Sequence, residues 1–204
     1  MNRPHEILDF WFEGLNDDGL IDRKDPRVQK WFTKDPRFDF VIREKFEPDL
    51  IKASLGLYKI WEETIQGRLA LVVLFDQFSR NMYRDNFMMF EYDSLALDLT
   101  VLSIHEKKDQ ALSLIERFFL YMPLMHSEDL RMQELSLEYF ADLIEQSKAK
   151  SPQNIVYYEY TFDYAKRHFI IIERFGRFPH RNTILNRNSS LQELEFLKQP
   201  GSFF

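Results

Sequence analysis

Gly67-Arg68-Leu69-Ala70-Leu71-Val72-Val73-Leu74-Phe75-Asp76-Gln77-Phe78-Ser79-Arg80-Asn81-Met82-Tyr83 is the stretch that decides the architecture. On a 100° wheel Leu69, Leu71, Val72, Val73, Leu74, Phe75, Phe78 and Met82 point nearly all round. A helix that is apolar on every side belongs at the centre of a helical bundle. Two charges interrupt it. Asp76 and Arg80 stand four residues apart on the side of Leu69, Val72 and Val73, where an uncompensated charge is costly. They are either an internal i,i+4 ion pair that orients the bundle or the polar wall of a cavity.

The flanking sequence is also helical in pattern. Pro4 to Glu13 carries Ile7, Leu8, Phe10, Trp11 and Phe12 and ends at Gly14. Asp25-Pro26 and Asp35-Pro36 each place an N-cap residue before a proline at the first helical position. The second is expected to open a helix to about Phe46, with Pro48 restarting the chain into a segment to about Glu63. Further helices are expected at about 86–106 and at 112–122, the latter stopped by Pro123. Another is expected from Ser127 to about Gln146. Pro152 to Phe175 reads as a long helix with Gly176 just past its end. A last short helix begins at Ser190, paired with Glu193 in a capping box, and Pro200 closes it. The best strand candidate, Ile155-Val156-Tyr157-Tyr158, runs on into a helical pattern and is read as helix. The expectation is one all-α domain over residues 1–204, with about eight helices and no internal repeat near 34 residues.

Composition narrows the chemistry. The chain has no cysteine, which excludes disulfides, thiolate nucleophiles, cysteine zinc sites and iron–sulfur clusters and suits a reducing cytoplasm. Its first residues lack the apolar core of a signal peptide. The longest apolar run, Leu69 to Phe75, falls far short of the ~18–20 residues that span a bilayer. A cytoplasmic protein without a membrane span is expected. The net charge of −6 argues against nucleic-acid binding, which needs a broad basic face.

Against that acidic background, Arg174-Phe175-Gly176-Arg177-Phe178-Pro179-His180-Arg181-Asn182 is anomalous. From Lys166 to Arg187 six Lys/Arg face one acid, Glu173. Guanidinium groups match carboxylate and phosphate oxygens with rigid donor forks, so an anion could sit here. Phe178 would anchor the loop and Pro179 would stiffen it. The alternative is a surface loop whose cations only solvate the fold.

Two further places carry titratable groups. In Pro123-Leu124-Met125-His126-Ser127-Glu128-Asp129, Glu128 and Asp129 could simply answer the N–H groups of the next helix, while His126 could point into a cleft. A metal reading would join His126 and one of these acids to His168 or His180. The spacing matches no metal motif, so neither metal nor cofactor is expected. His168 falls within the apolar arc of the 152–175 helix, where a histidine is either a hydrogen-bonded core residue or a ligand. Arg167 and Arg174 fall on the opposite, solvent face.

Several segments taken in order resemble the bacterial family catalogued as domain of unknown function 924. They are Ile7-Leu8-Asp9-Phe10-Trp11-Phe12, Lys30-Trp31-Phe32, Lys34-Asp35-Pro36-Arg37-Phe38-Asp39, Gly67 to Leu71, Asp76-Gln77-Phe78-Ser79-Arg80-Asn81, Tyr121 to Asp129, Arg174 to Asn182 and Pro200-Gly201-Ser202-Phe203. The resemblance implies an antiparallel helix-pair array like the tetratricopeptide right-handed superhelix. It also implies recurrent polar positions at Asp76, Gln77, Arg80, Asn81, His126, Glu128, Asp129, His168, Arg177, His180, Arg181 and Asn182, without roles. Two departures are visible: Ser79 stands where the family usually has proline, and Asn186 where it usually has glycine before Arg187. Asn tolerates a left-handed turn.

Three functions are compatible with these residues. A binding module would hold a small anionic ligand or a peptide carboxylate in an aromatic groove, clamped by Arg80, Arg177 and Arg181, with His126 and His180 as donors and Asp76 and Asp129 orienting the arginines. A hydrolase would use His126 or His180 as base, oriented by Glu128 or Asp129. A protein-interaction scaffold would use the polar cluster only to join helices. Oligomeric state is not legible.

Overall fold

Several of the helix-start and helix-stop signals translate directly into structure. The computed structural model describes residues 2–203. Helix α1 (Arg3–Phe12) starts at Pro4 and ends where Glu13 turns left-handed. Helices α2 (Pro26–Phe32) and α3 (Pro36–Ser54) start under the side chains of Asp25 and Asp35, which accept the N–H groups of Arg27 and Arg37. Helix α4 (Ile65–Val72) runs without a break through a π-helical stretch (Val73–Phe78) into α5 (Ser79–Met82). Then follow α6 (Asp93–His105), α7 (Leu114–His126), α8 (Leu130–Lys150), α9 (Ile155–Phe175) and α10 (Leu191–Phe196). Counting 65–82 once, nine helices and no strand are present among the described residues. The all-α expectation holds.

The 65–82 rod is central, as its pattern demanded. Leu69, Ala70, Val72, Val73, Leu74 and Phe78 are fully buried, and the rod packs against α1, α3, α6 and α7. An aromatic cluster packs around it, with Trp11–Phe78, Trp11–Phe119 and Trp31–Phe119 edge to face and Phe46 tilted against Phe78. Helices α8 and α9, joined by a turn at Pro152–Asn154, form the most extensive helix–helix contact. A small second cluster, Ile171, Ile172 and Phe178, anchors the end of α9 and the loop after it. Gly176 is left-handed at φ 67°, as a helix C-terminus requires.

Four boundary expectations are corrected. Pro48 does not restart a segment: α3 passes through it, because Phe46 and Leu50 on either side are buried and hold the rod together. Pro123 does not stop α7, which continues to His126 between fully buried neighbours. Residues 87–90 form a 3₁₀ turn rather than the start of α6. Ser127 does not open α8. Asp129 does, by accepting the N–H groups of Arg131 and Met132.

Candidate functional site

Five pieces of chain converge on one recess of about 650 Å³. The π-stretch and α5 bring Gln77, Arg80 and Asn81; the end of α7 brings Met122, Met125 and His126. Helix α9 supplies Tyr164 and His168, the turn Pro179–Arg181 supplies His180 and Arg181, and the end of α2 with the two residues after it supplies Trp31 to Lys34. Phe90 and Phe203 complete the aromatic part of the lining.

Asp76 organises the floor. It is fully buried, and its Oδ1 accepts from His126 Nδ1 at 2.7 Å and forms an ion pair with Arg80 Nη1 at 3.1 Å. Its Oδ2 accepts from Gln77 Nε2 at 2.5 Å. Burial alone would raise the Asp76 pKa; the charges of Arg80 and His126 and these hydrogen bonds outweigh it and hold the carboxyl well below its ordinary range. Arg80 is also bidentate to Asp93 at 2.8 and 3.1 Å. The ion pair and the cavity wall weighed for Asp76 and Arg80 are therefore one arrangement.

Arg181 is compensated less well. It is 7% exposed, donates to the backbone carbonyl of His126 at 2.9 Å and reaches Asp93 only at 3.5 Å. Its buried Nε has no partner among the described residues. Burial, with Arg80 close by, pulls its pKa down to about 10 against the attraction of Asp93. Burial likewise lowers the imidazoles: His126 despite Asp76, His168 well below its ordinary value, and His180 to about 4. His168 donates Nδ1–H to the Tyr164 carbonyl at 2.8 Å, as a core histidine on α9 would.

The polar positions singled out in the sequence divide into two groups. Gln77, Arg80, Asn81, His126, His168, His180 and Arg181 line the recess, with Asp76 immediately beneath. Arg177, Asn182, Glu128 and Asp129 do not line it. Arg177 is bidentate to Glu193 at 2.7 and 2.9 Å, so it is no clamp in the recess. Asn182 is buried against Ser189, Glu193 and Arg187. Glu128 holds the loop from outside the recess, accepting the Phe178 N–H at 2.8 Å and a bidentate Arg187 at 2.7 and 2.9 Å. Asp129 is an exposed helix cap, so it orients neither a histidine nor an arginine of the recess. The acid partner of His126 is Asp76, not Glu128 or Asp129.

Sequence reasoning missed Asp93, which bridges Arg80 and Arg181, and Asp39, which holds Arg84 and Asn81 from behind. Asp93 sits in the first turn of α6 and looks like an ordinary dipole-complementing acid, so nothing in the pattern marks it. Among the described residues no three His, Asp or Glu side chains are arranged to hold a metal ion. Nor is any helix there long and apolar enough to cross a membrane.

Fold and site together define an all-helical protein with an aromatic, cation-walled recess at its centre. The family described as bacterial protein of unknown function (DUF924) matches over residues 7–201, and the chain belongs to it. A solved structure of a protein of unknown function, ATU0120 from Agrobacterium tumefaciens, is similar at 32% identity and a TM-score of 0.78, over 96% of this chain and 97% of that one. No curated protein sequence matches the chain.

Proposed function

We propose that the protein binds a small organic anion in the central recess. One observation carries this reading: three arginines face the recess and their carboxylates stand behind it, while Lys34 is paired with Asp85 on the wall itself. Lys34, Arg80, Arg84 and Arg181 lie on the wall with a single carboxylate, Asp85, whereas Asp39, Asp76 and Asp93 are not part of the lining. A wall so polarised presents positive potential inward, and low-dielectric sides concentrate it. Met122, Met125, Phe90 and Trp31 offer apolar surface for the rest of the ligand. The carboxylate of a peptide end shares this chemistry. The right-handed superhelix implied by resemblance is not needed for the recess to work.

The test is calorimetric titration with a panel of aliphatic and aromatic carboxylates and phosphate monoesters, on wild type, Arg181→Gln and Arg177→Ala. Loss of a charge-assisted contact of about 1.5–3 kcal/mol should weaken binding roughly 10- to 100-fold in Arg181→Gln. Arg177→Ala should bind like wild type. If no anion binds, or if both variants weaken equally, the polar cluster only joins helices and the scaffold reading stands instead.

A further inference from the structure

We propose that His126, positioned by Asp76, is a general base for hydrolysis in the recess, acting on small carboxylic esters that carry a separate anionic group. This rests on the anion-binding reading above. The geometry has three parts. The bond from His126 Nδ1 to Asp76 Oδ1 at 2.7 Å assigns the ring proton to Nδ1 and leaves the lone pair on Nε2. No described residue bonds Nε2, and the ring lies on the recess wall. Asp76 is itself fixed by Gln77 and Arg80 and fully buried, so it orients the imidazole and stabilises the imidazolium form without competing for the proton.

Two cations flank this imidazole. Arg80 shares Asp76 Oδ1 with it, and Arg181 donates to its own backbone carbonyl. Both arginines converge on Asp93 Oδ2, so the two guanidinium groups stand together beside the residue that carries the ring. Such a placement suits the oxyanion that forms when an ester carbonyl is attacked. The chain has no cysteine, and water supplies the nucleophile. His126 Nε2 takes one proton from water as its oxygen bonds to the acyl carbon, and the carbonyl oxygen becomes an oxyanion beside the arginines. The oxyanion then re-forms the carbonyl as the C–O bond to the alcohol breaks, and the leaving oxygen takes the proton back from His126. The acid and the alcohol, or for an aryl ester the phenol, are the products, and the base is regenerated. Burial keeps the His126 pKa below its ordinary value, so the ring is neutral and ready at pH 7.

The experiment uses 4-acyloxybenzoates from acetyl to octanoyl, their methyl esters as uncharged controls, and the matching 4-acylaminobenzoates as non-hydrolysed analogues. Wild type should hydrolyse the anionic esters in preference to the methyl esters. His126→Gln should lower kcat at least ~100-fold while its affinity for the acylaminobenzoate stays within about threefold. Asp76 is a positioning residue: Asp76→Asn should lower kcat, and its pH–rate profile should lose the wild-type limb. In wild type log kcat should rise with unit slope at acid pH and level off below pH 6.5, a readout that needs no variant to fold. Analogues that bind while every ester is hydrolysed at the rate of His126→Gln would overturn the proposal and leave the binding reading intact. Analogues that fail to bind wild type would remove both for this class of anion. A flat pH profile in wild type would also overturn it.

Discussion

Replacing His180 by Gln should make the protein more resistant to acid. The His180 ring is partly buried beside Arg181, and its pKa falls from 6.5 to about 4, mainly by burial and then by the Arg181 charge. A depressed folded-state pKa has a definite sign: the unfolded chain binds a proton more readily, so the stability associated with the neutral ring is fully present above pH 6.5 and is lost as pH falls toward the folded value. Between pH 7.5 and pH 5.0 the linkage relation gives a loss of about 2 kcal/mol from this one group, an upper figure because part of the ring is exposed. His126 and His168 are depressed in the same direction and add to the wild-type loss in both proteins. Urea denaturation at the two pH values measures it. Wild type should lose about 2 kcal/mol more than His180→Gln over that interval, or roughly 4–8 °C of melting temperature for a chain of this length. Equal losses in the two proteins would refute the claim that the recess holds His180 neutral against its solution preference.

The same linkage predicts that an anion bound beside these rings raises their pKa values, so affinity for a carboxylate should strengthen as pH falls from 7.5 to 5.5 in wild type and less so in His180→Gln, by calorimetry at each pH. Gly67→Ala should destabilise by about 1–3 kcal/mol, because an added Cβ would lie 2.0 Å from the backbone oxygen of Trp61, which no rotamer change relieves; the melting curve at pH 7.5 checks it. Glu128→Gln removes the charge that holds both Arg187 and the Phe178 N–H. A loss of about 1.5–3 kcal/mol is expected, with faster proteolysis in the 176–190 loop than elsewhere.

Local signals were legible wherever a few consecutive residues determine the outcome. Asp25, Asp35, Ser190 with Glu193, and Gly176 fall at helix ends for reasons contained in their own neighbourhoods. Asn186 is left-handed at φ 53°, so the substitution for the family's usual glycine keeps the turn. Pro48 and Pro123 misled because burial of the flanking residues, a tertiary effect, outweighs the roughly 3 kcal/mol that a helical proline costs. In the site, Arg80, His126 and His168 stood out as polar residues on apolar stretches and His180 and Arg181 as part of a basic loop, each weighed separately, and only the family resemblance named them as one set. Which acid meets which base was not legible. Asp76 and His126 are fifty residues apart, and Arg177 and Glu193 sixteen. Pairing at such separations is set by packing, and charge counts along the chain are blind to it.

The central rod shows how the site depends on a feature that no periodicity reveals. An α-helix read from Gly67 to Tyr83 would bond the Ser79 N–H to the Phe75 carbonyl. In the π-stretch that N–H bonds Leu74 instead, which widens the helix at Asp76 and Gln77. Side chains also bond carbonyls of this stretch: Ser79 Oγ donates to the Phe75 carbonyl at 2.6 Å, and Arg80 Nη1 donates to the Asp76 carbonyl at 2.8 Å. A buried carbonyl left unpaired is costly, so the Ser79 hydroxyl on the Phe75 carbonyl favours the wide turn. The same Arg80 nitrogen reaches Asp76 Oδ1 and Asp93 Oδ1. One guanidinium therefore bonds the backbone of the wide turn, holds the buried carboxylate that orients His126, and faces the recess. Any change at Arg80 must disturb backbone, dyad and wall together, so its effect on stability cannot be separated from its effect on binding. Arg181, which among the described residues hydrogen-bonds one carbonyl and one distant carboxylate, is the residue at which the two can be told apart.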